Sequence, residues 1–150
     1  MADEDDEGRL DRELIELLNE LRVALPGVQV LFAFLLTVPF TSRFARVDDL
    51  QEDAYLLALV ATAIGSILLM APTAHHRIRF RERDKEALIR TANRLAIAGT
   101  VCVAIAMTAS VFLVTDVLFR KTITGLVTGI VAGSFVWFWY GMPLRRAARS

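Results

Sequence analysis

The sequence of 150 residues has the length of one domain, and 55% of its residues are hydrophobic although 23% are charged. Long apolar runs alternate with short charged stretches, and the mean hydropathy is +0.46, which excludes an ordinary soluble domain and is typical of a polytopic membrane protein. Lysine plus arginine (17) equals aspartate plus glutamate (17), so the charge balance does not indicate a nucleic-acid-binding protein. The single cysteine, Cys102, excludes a disulfide framework.

The first residues of the chain are acidic, and an amphipathic segment follows them. Residues 2–8 carry five consecutive acids and no large apolar side chain, so we predict a disordered tail over residues 1–8 and no secretory signal. In residues 9–25, leucines recur at steps of three and four residues between charged side chains, which predicts a cytoplasmic amphipathic helix. Its polar face is acidic, which favours packing against protein over lying on a membrane surface.

Four apolar runs have the length needed to cross the hydrocarbon core as helices. They cover residues 24–40, 54–72, 95–119 and 122–142. Pro26 stands at the beginning of the first run and predicts that the amphipathic helix and the first span meet at an angle. The fold class predicted is all-α: four transmembrane helices preceded by the amphipathic helix, in one membrane domain over residues 9–150.

Basic side chains predict the orientation of these spans. The N-terminal segment, the loop between spans two and three and the C-terminal tail carry thirteen lysines and arginines, whereas the other two connections carry four. Cytoplasmic segments carry the excess of basic residues, so both termini are expected in the cytoplasm. Trp137, Trp139 and Tyr140, just before the last arginines, are typical of an interfacial aromatic belt.

Three glycines in the fourth span predict a close helix contact. Gly125, Gly129 and Gly133 recur at four-residue steps, and small residues of this kind let helices approach each other in lipid. Further small-residue faces occur in spans two and three. One interpretation is that all these faces pack the four helices of a single chain, and the other is that one of them builds a homo-oligomer.

Asp116 is the one ionisable residue inside an apolar run. An acid within the membrane is a functional candidate, because a charge there costs about 2.5–3.5 kcal/mol or more. Its predicted depth is near the outer interface, one turn from Arg120. The sequence leaves two alternatives open: a structural pair with Arg120, or a residue that handles ions or protons.

Neutral polar residues in the spans are candidates for a permeation path. Thr100, Thr108 and Thr115 fall within one sector of the third helix, and Gln29 is the polar outlier of the first span. A threonine stripe lines a narrow polar path in some oligomers, but threonine more often bonds to its own helix backbone or to a neighbouring helix.

The charged loop after span two has no catalytic pattern. His75 and His76 are adjacent and point about 100° apart on a helix, so they suit an interfacial position better than a zinc pair; a pH-sensitive or metal-contacting role is the alternative. The arginines that follow are predicted to set the topology and to contact anionic lipid headgroups. They are Arg77, Arg79, Arg81 and Arg83. No metalloprotease motif, nucleophile elbow or phosphate loop occurs, so we expect no enzyme, metal or cofactor.

The apolar and charged segments together resemble a family of small bacterial membrane proteins. The resemblance is carried by the segment ELIELLNELRVALPGVQVLFAFLLTVPF at residues 13–40, by APTAHHR at 71–77, by DKEALIRTANRLAIAG at 84–99 and by LVTDVLF at 113–119. That family, abundant in actinobacteria, is described only as a domain of unknown function. The resemblance implies a four-span protein of the bacterial plasma membrane, and it brings no activity, ligand or catalytic residue.

From these observations we expect a homo-oligomeric, channel-like protein that lets ions permeate the membrane. Surplus small-residue faces, threonines and serines in the spans and little buried charge favour this interpretation over a proton-coupled transporter. The alternative is a non-conducting accessory or scaffold protein that docks a partner through the helix at residues 9–25.

Overall fold

The computed structural model describes residues 2–78 and 85–141, and most of these residues belong to long α-helices. The helices are α1 (Ala2–Thr37), α2 (Asp49–Ile78), α3 (Lys85–Leu118) and α4 (Lys121–Val136). Two 3-10 helices, Val38–Phe40 and Phe44–Arg46, lie between α1 and α2, and a π-helical turn, Trp137–Gly141, follows α4.

Within the described residues, four helical stretches are long and apolar enough to cross a membrane. They are Ile15–Phe40, Asp49–Pro72, Ile89–Leu118 and Lys121–Trp139. Each overlaps one of the runs predicted from the sequence, so the number and positions of the apolar helices are confirmed. The described part of the chain is thus that of an all-helical, multi-pass membrane protein.

The N-terminal helix is longer than the sequence pattern suggested. α1 begins at Ala2, where a disordered tail is predicted, because acids in the first turns are favoured by the positive end of the helix dipole. It then runs through Pro26 to Thr37 as one helix, so the amphipathic segment and the first apolar run are not two separate helices. Proline removes one backbone hydrogen bond of the helix and does not end it here, since α1 continues for eleven residues beyond Pro26.

The chain divides into two compact units. The first unit contains Met1–Phe34 and Thr62–Cys102, and the second contains Leu35–Ala61 and Val103–Ser150. α1, α2 and α3 each contribute to both units, whereas α4 belongs to the second.

In the first unit, α2 and α3 approach each other so closely that only a glycine fits at the contact. A Cβ atom added to Gly99 would lie 2.8 Å from both Cγ and Cδ2 of Leu69 and 3.3 Å from the carbonyl oxygen of Gly65. Leu69 is 1% exposed, so its side chain has no free space to move into. Small residues on both helices therefore determine how near the two backbones come.

In the second unit, the core is built from small side chains and one tyrosine. Ala58 and Ala106 are completely buried, as the small-residue faces of spans two and three predicted. The hydroxyl of buried Tyr55 donates a hydrogen bond to the carbonyl oxygen of Leu35 at 3.2 Å. The ring of Phe44 packs edge-on against Tyr55 with the centroids 5.0 Å apart. These contacts join the end of α1, the connection after it and α2.

Replacing Gly99 tests the close α2–α3 contact. We expect Gly99→Val to lower the free energy of unfolding by about 1–3 kcal/mol, because overpacking displaces Leu69. The matched control is Gly27→Val on α1, where an added Cβ meets no atom within 4 Å. Thermal unfolding in detergent micelles measures both, and equal midpoints for the two variants would contradict the contact.

Candidate functional site

A capping box begins α2 and is the first part of the polar site in the second unit. The backbone N–H of Gln51 donates to Oδ1 of Asp48 at 2.9 Å, and the backbone N–H of Asp48 donates to Oε1 of Gln51 at 3.3 Å. This reciprocal pair satisfies two backbone donors that a helix start would otherwise leave without partners. The sequence signal is an Asp followed three residues later by a Gln.

The same glutamine reaches across to the end of α3. Nε2 of Gln51 donates a hydrogen bond of 2.9 Å to Oδ2 of Asp116, and both residues are half-buried. Asp48, Gln51 and Asp116 therefore form one connected polar cluster. The amide is a neutral donor, so it leaves the carboxylate of Asp116 able to attract a cation.

The cluster decides between the two interpretations of Asp116 only in part. The helical pair with Arg120 is not formed, because α3 ends at Leu118 and Arg120 has extended backbone angles of φ −74° and ψ 150°. Gln51 takes the place of the predicted arginine. Among residues 2–78 and 85–141, no group of three or more His, Cys, Asp or Glu side chains is placed to hold a metal ion.

The threonines proposed for a polar path donate their hydroxyl hydrogen bonds to backbone carbonyls of their own helix. Thr100 donates to the carbonyl oxygen of Ile97, and Thr108 donates to that of Ala104, both at 2.8 Å. Thr115 donates to Val111 at 2.7 Å. Bonding of this kind satisfies a hydroxyl within its own helix. Each oxygen keeps acceptor capacity, so these threonines offer oxygens to a neighbour and no free donors.

Two sequence-predicted features lie open on the surface of the described chain. Gln29 is exposed, and its side chain has no hydrogen-bond partner among the described residues. Gly125, Gly129 and Gly133 are also exposed, and a Cβ atom added to any of them would meet no atom within 4 Å. The glycine stripe of α4 is thus not used for packing within the described chain.

Most of the arginines predicted to contact lipid headgroups lie outside the described residues. Arg79, Arg81 and Arg83 lie outside the described residues, and Arg77 is the next-to-last residue of α2. His75 and His76 lie in the last two turns of α2, and their side chains are outside the described part of the chain.

Sequence reasoning missed several polar positions that the structure makes prominent. The capping box of Asp48 and Gln51 carried a readable signal, because the spacing of an Asp and a Gln three residues apart is characteristic. Thr124 is 2% exposed, and the buried Oγ1 of Thr128 has no hydrogen-bond partner within the described residues. No sequence signal separates these two threonines from the others in the spans.

Replacing Gln51 tests whether the polar cluster stabilises the fold. We expect Gln51→Ala to lower the free energy of unfolding by about 1–3 kcal/mol, because it removes half of the cap and leaves Asp116 without its donor. Asp116→Asn retains an oxygen acceptor and should be milder than Asp116→Ala. The control is Asp53→Ala, a neighbouring exposed position. Thermal unfolding in micelles measures all four; a Gln51→Ala midpoint equal to that of the control would disprove the role of the cluster.

Comparisons with known proteins give a family but no activity. No curated protein and no solved structure matches the chain. The model of a family of unknown function, DUF6328, matches residues 3–143, which is nearly the whole chain. This confirms the resemblance to a family described only as of unknown function. The chain therefore belongs to the family of unknown function DUF6328.

Proposed function

We propose that this protein is a homo-oligomeric, channel-like protein of the bacterial plasma membrane whose copies associate through the glycine stripe of α4. The stripe consists of Gly125, Gly129 and Gly133. The observation that carries the proposal is the open space beside all three glycines. In lipid, bare backbone of this kind gains most from close contact with another helix.

A second observation supports association between copies. Gln29 belongs to the candidate span Ile15–Phe40, yet it is exposed and has no described partner. A side-chain amide facing hydrocarbon loses its hydrogen bonds to water, and glutamine in a transmembrane helix commonly bonds across to another helix. A neighbouring copy would supply that partner.

The permeation part of the proposal rests on the polar oxygens of α3. Thr108 and Thr115 are half-buried and keep acceptor lone pairs after bonding to their own helix. Asp116 adds a carboxylate whose one hydrogen bond comes from a neutral amide. Oxygens of this kind replace part of the hydration shell of a cation, so the path proposed is a cation path.

The orientation and lipid contacts belong to the same proposal. The bias of basic residues favours both termini in the cytoplasm, and the arginines from Arg77 to Arg83 would then attract anionic headgroups there. We propose no enzymatic activity, metal or cofactor.

The alternative is a non-conducting accessory protein that docks a partner through residues 9–25. The described side chains weaken this alternative, because Leu21 is buried and Leu17 and Leu18 are half-buried. The leucines of this segment whose side chains are described are therefore largely covered. Ile15 and Val23 are large apolar side chains of the same segment that are exposed and open to a partner.

The mass of the protein in nanodiscs tests association. We expect an oligomer for the natural chain and a smaller species for Gly129→Leu, because leucine fills the open space beside the backbone. The control is Ile123→Phe, an exposed position about 120° around α4 from Gly129, which should keep the oligomer. A natural chain that is strictly monomeric would remove the proposal.

Ion flux into liposomes tests permeation separately. We expect Thr108→Leu and Asp116→Asn each to reduce cation flux by about fivefold, the equivalent of about 1 kcal/mol for one lost polar contact. Ile105→Leu, at an exposed apolar position of α3, is the control and should leave the flux unchanged. An oligomer with unchanged flux in both variants would mean that these oxygens do not line a path.

A further inference from the structure

A cavity in the second unit lies beside the connection between α1 and α2 and has a volume of about 120 Å³. Its walls are six apolar side chains, three from the connection and three from α3. They are Val38, Phe44, Val47, Leu113, Val114 and Val117. The two remaining residues of the wall are Thr41 and Arg43. The cavity is partly open to the outside, so it is accessible to a ligand from the surroundings of the protein.

Water is a poor occupant of this cavity. The cavity is large enough to admit water, but a buried water needs two to four polar partners. The hydroxyl of Thr41 already donates to the carbonyl oxygen of Val38 at 2.7 Å. The apolar wall therefore favours a hydrocarbon occupant.

Arg43 gives the cavity a positive charge that no described residue neutralises. Its side chain is exposed, and no described residue forms an ion pair with it. Two acids of the same unit are engaged with Gln51: Asp48 accepts its backbone N–H, and Asp116 accepts its side-chain amide. An anion from outside the chain would complement this guanidinium.

The position of the cavity identifies where a ligand with both properties comes from. One candidate span ends at Phe40, the next begins at Asp49, and the third ends at Leu118. The cavity is therefore at the level where helices leave the hydrocarbon core, and that is where a phospholipid has its acyl chains on one side and its phosphate on the other.

We propose that the cavity binds a phospholipid with an anionic headgroup, with part of an acyl chain against Val114 and Val117 and the phosphate on Arg43. The apolar wall accounts for the chain, and the unpaired guanidinium accounts for the headgroup, since Arg binds phosphate through two parallel hydrogen bonds. This lipid site is independent of the oligomer and of ion permeation.

Native mass spectrometry of the full chain in nonionic detergent tests the site. The detergent solution is titrated with phosphatidylglycerol or with phosphatidylcholine of the same acyl chains. We expect the natural chain to bind phosphatidylglycerol about fivefold more tightly, the preference that one arginine near a lipid surface gives. Arg43→Gln should lose this preference. Arg46→Gln, an exposed arginine of the same connection that does not line the cavity, should retain it.

A second pair of variants tests the acyl chain. Val114→Phe and Val117→Phe fill the cavity from an exposed wall position and should weaken the binding of both lipids about equally. A thermal midpoint near that of the natural chain establishes that each variant is folded. Equal binding of both lipids by the natural chain would overturn the proposal. An equal loss of preference in Arg46→Gln, or unchanged lipid binding in both phenylalanine variants, would also overturn it. So would the finding that filling the cavity releases a second copy of the protein and not a lipid.

Discussion

The approach of α2 to α3 through small residues is the constraint on which the rest of the described structure depends. Lipid tails are as apolar as leucine, so burial of apolar surface does not drive transmembrane helices together as it does in water. Association then depends on how many atoms come into contact. Gly65 and Gly99 bring the two backbones together around Leu69 in the first unit, and Ala58 and Ala106 are completely buried in the second. The two helices are also the most enclosed, with 33% and 28% of their apolar windows buried, against 11% for α1 and 6% for α4.

Much of this architecture was predictable from the sequence, because it depends on local properties. An apolar run of sufficient length forms a helix in a membrane wherever its neighbours lie, and all four runs are helices. The burial of Ala58, Thr62 and Ala106 followed from small residues repeated at helical steps. α1 runs through Pro26 as one helix of 36 residues, so the amphipathic segment and the first span are continuous, and the angle expected at Pro26 stays a prediction.

The polar cluster shows why a site is harder to predict than a span. Gln51 and Asp116 are 65 residues apart, and nothing in either segment specifies the other as its partner. Local spacing pointed to Arg120, but that pairing requires α3 to continue one turn further than it does. The position where α3 ends and the packing of α2 beside that end depend on tertiary structure, so the local sequence does not predict them. A hydrogen bond within one helix, such as that from a threonine hydroxyl to a backbone carbonyl of the preceding turn, can by contrast be predicted from the sequence. Thr100, Thr108 and Thr115 all form this bond.

Some polar groups in the spans are hydrogen-bonded within their own helix and others have no described partner, and this difference indicates where a contact is missing. The hydroxyls of Ser66 on α2, Ser110 on α3 and Ser134 on α4 donate to the preceding turn, so they impose little cost on a helix in lipid. Gln29 is exposed in a span, and its amide, which has two N–H donors and an oxygen acceptor, has no hydrogen-bond partner among the described residues. The hydroxyl of Thr128, on the helix that also has the open glycine stripe, is buried with no partner among residues 2–78 and 85–141. A contact with a second copy, as proposed above, would cover the Gln29 amide and the bare backbone of the glycine stripe in place of lipid.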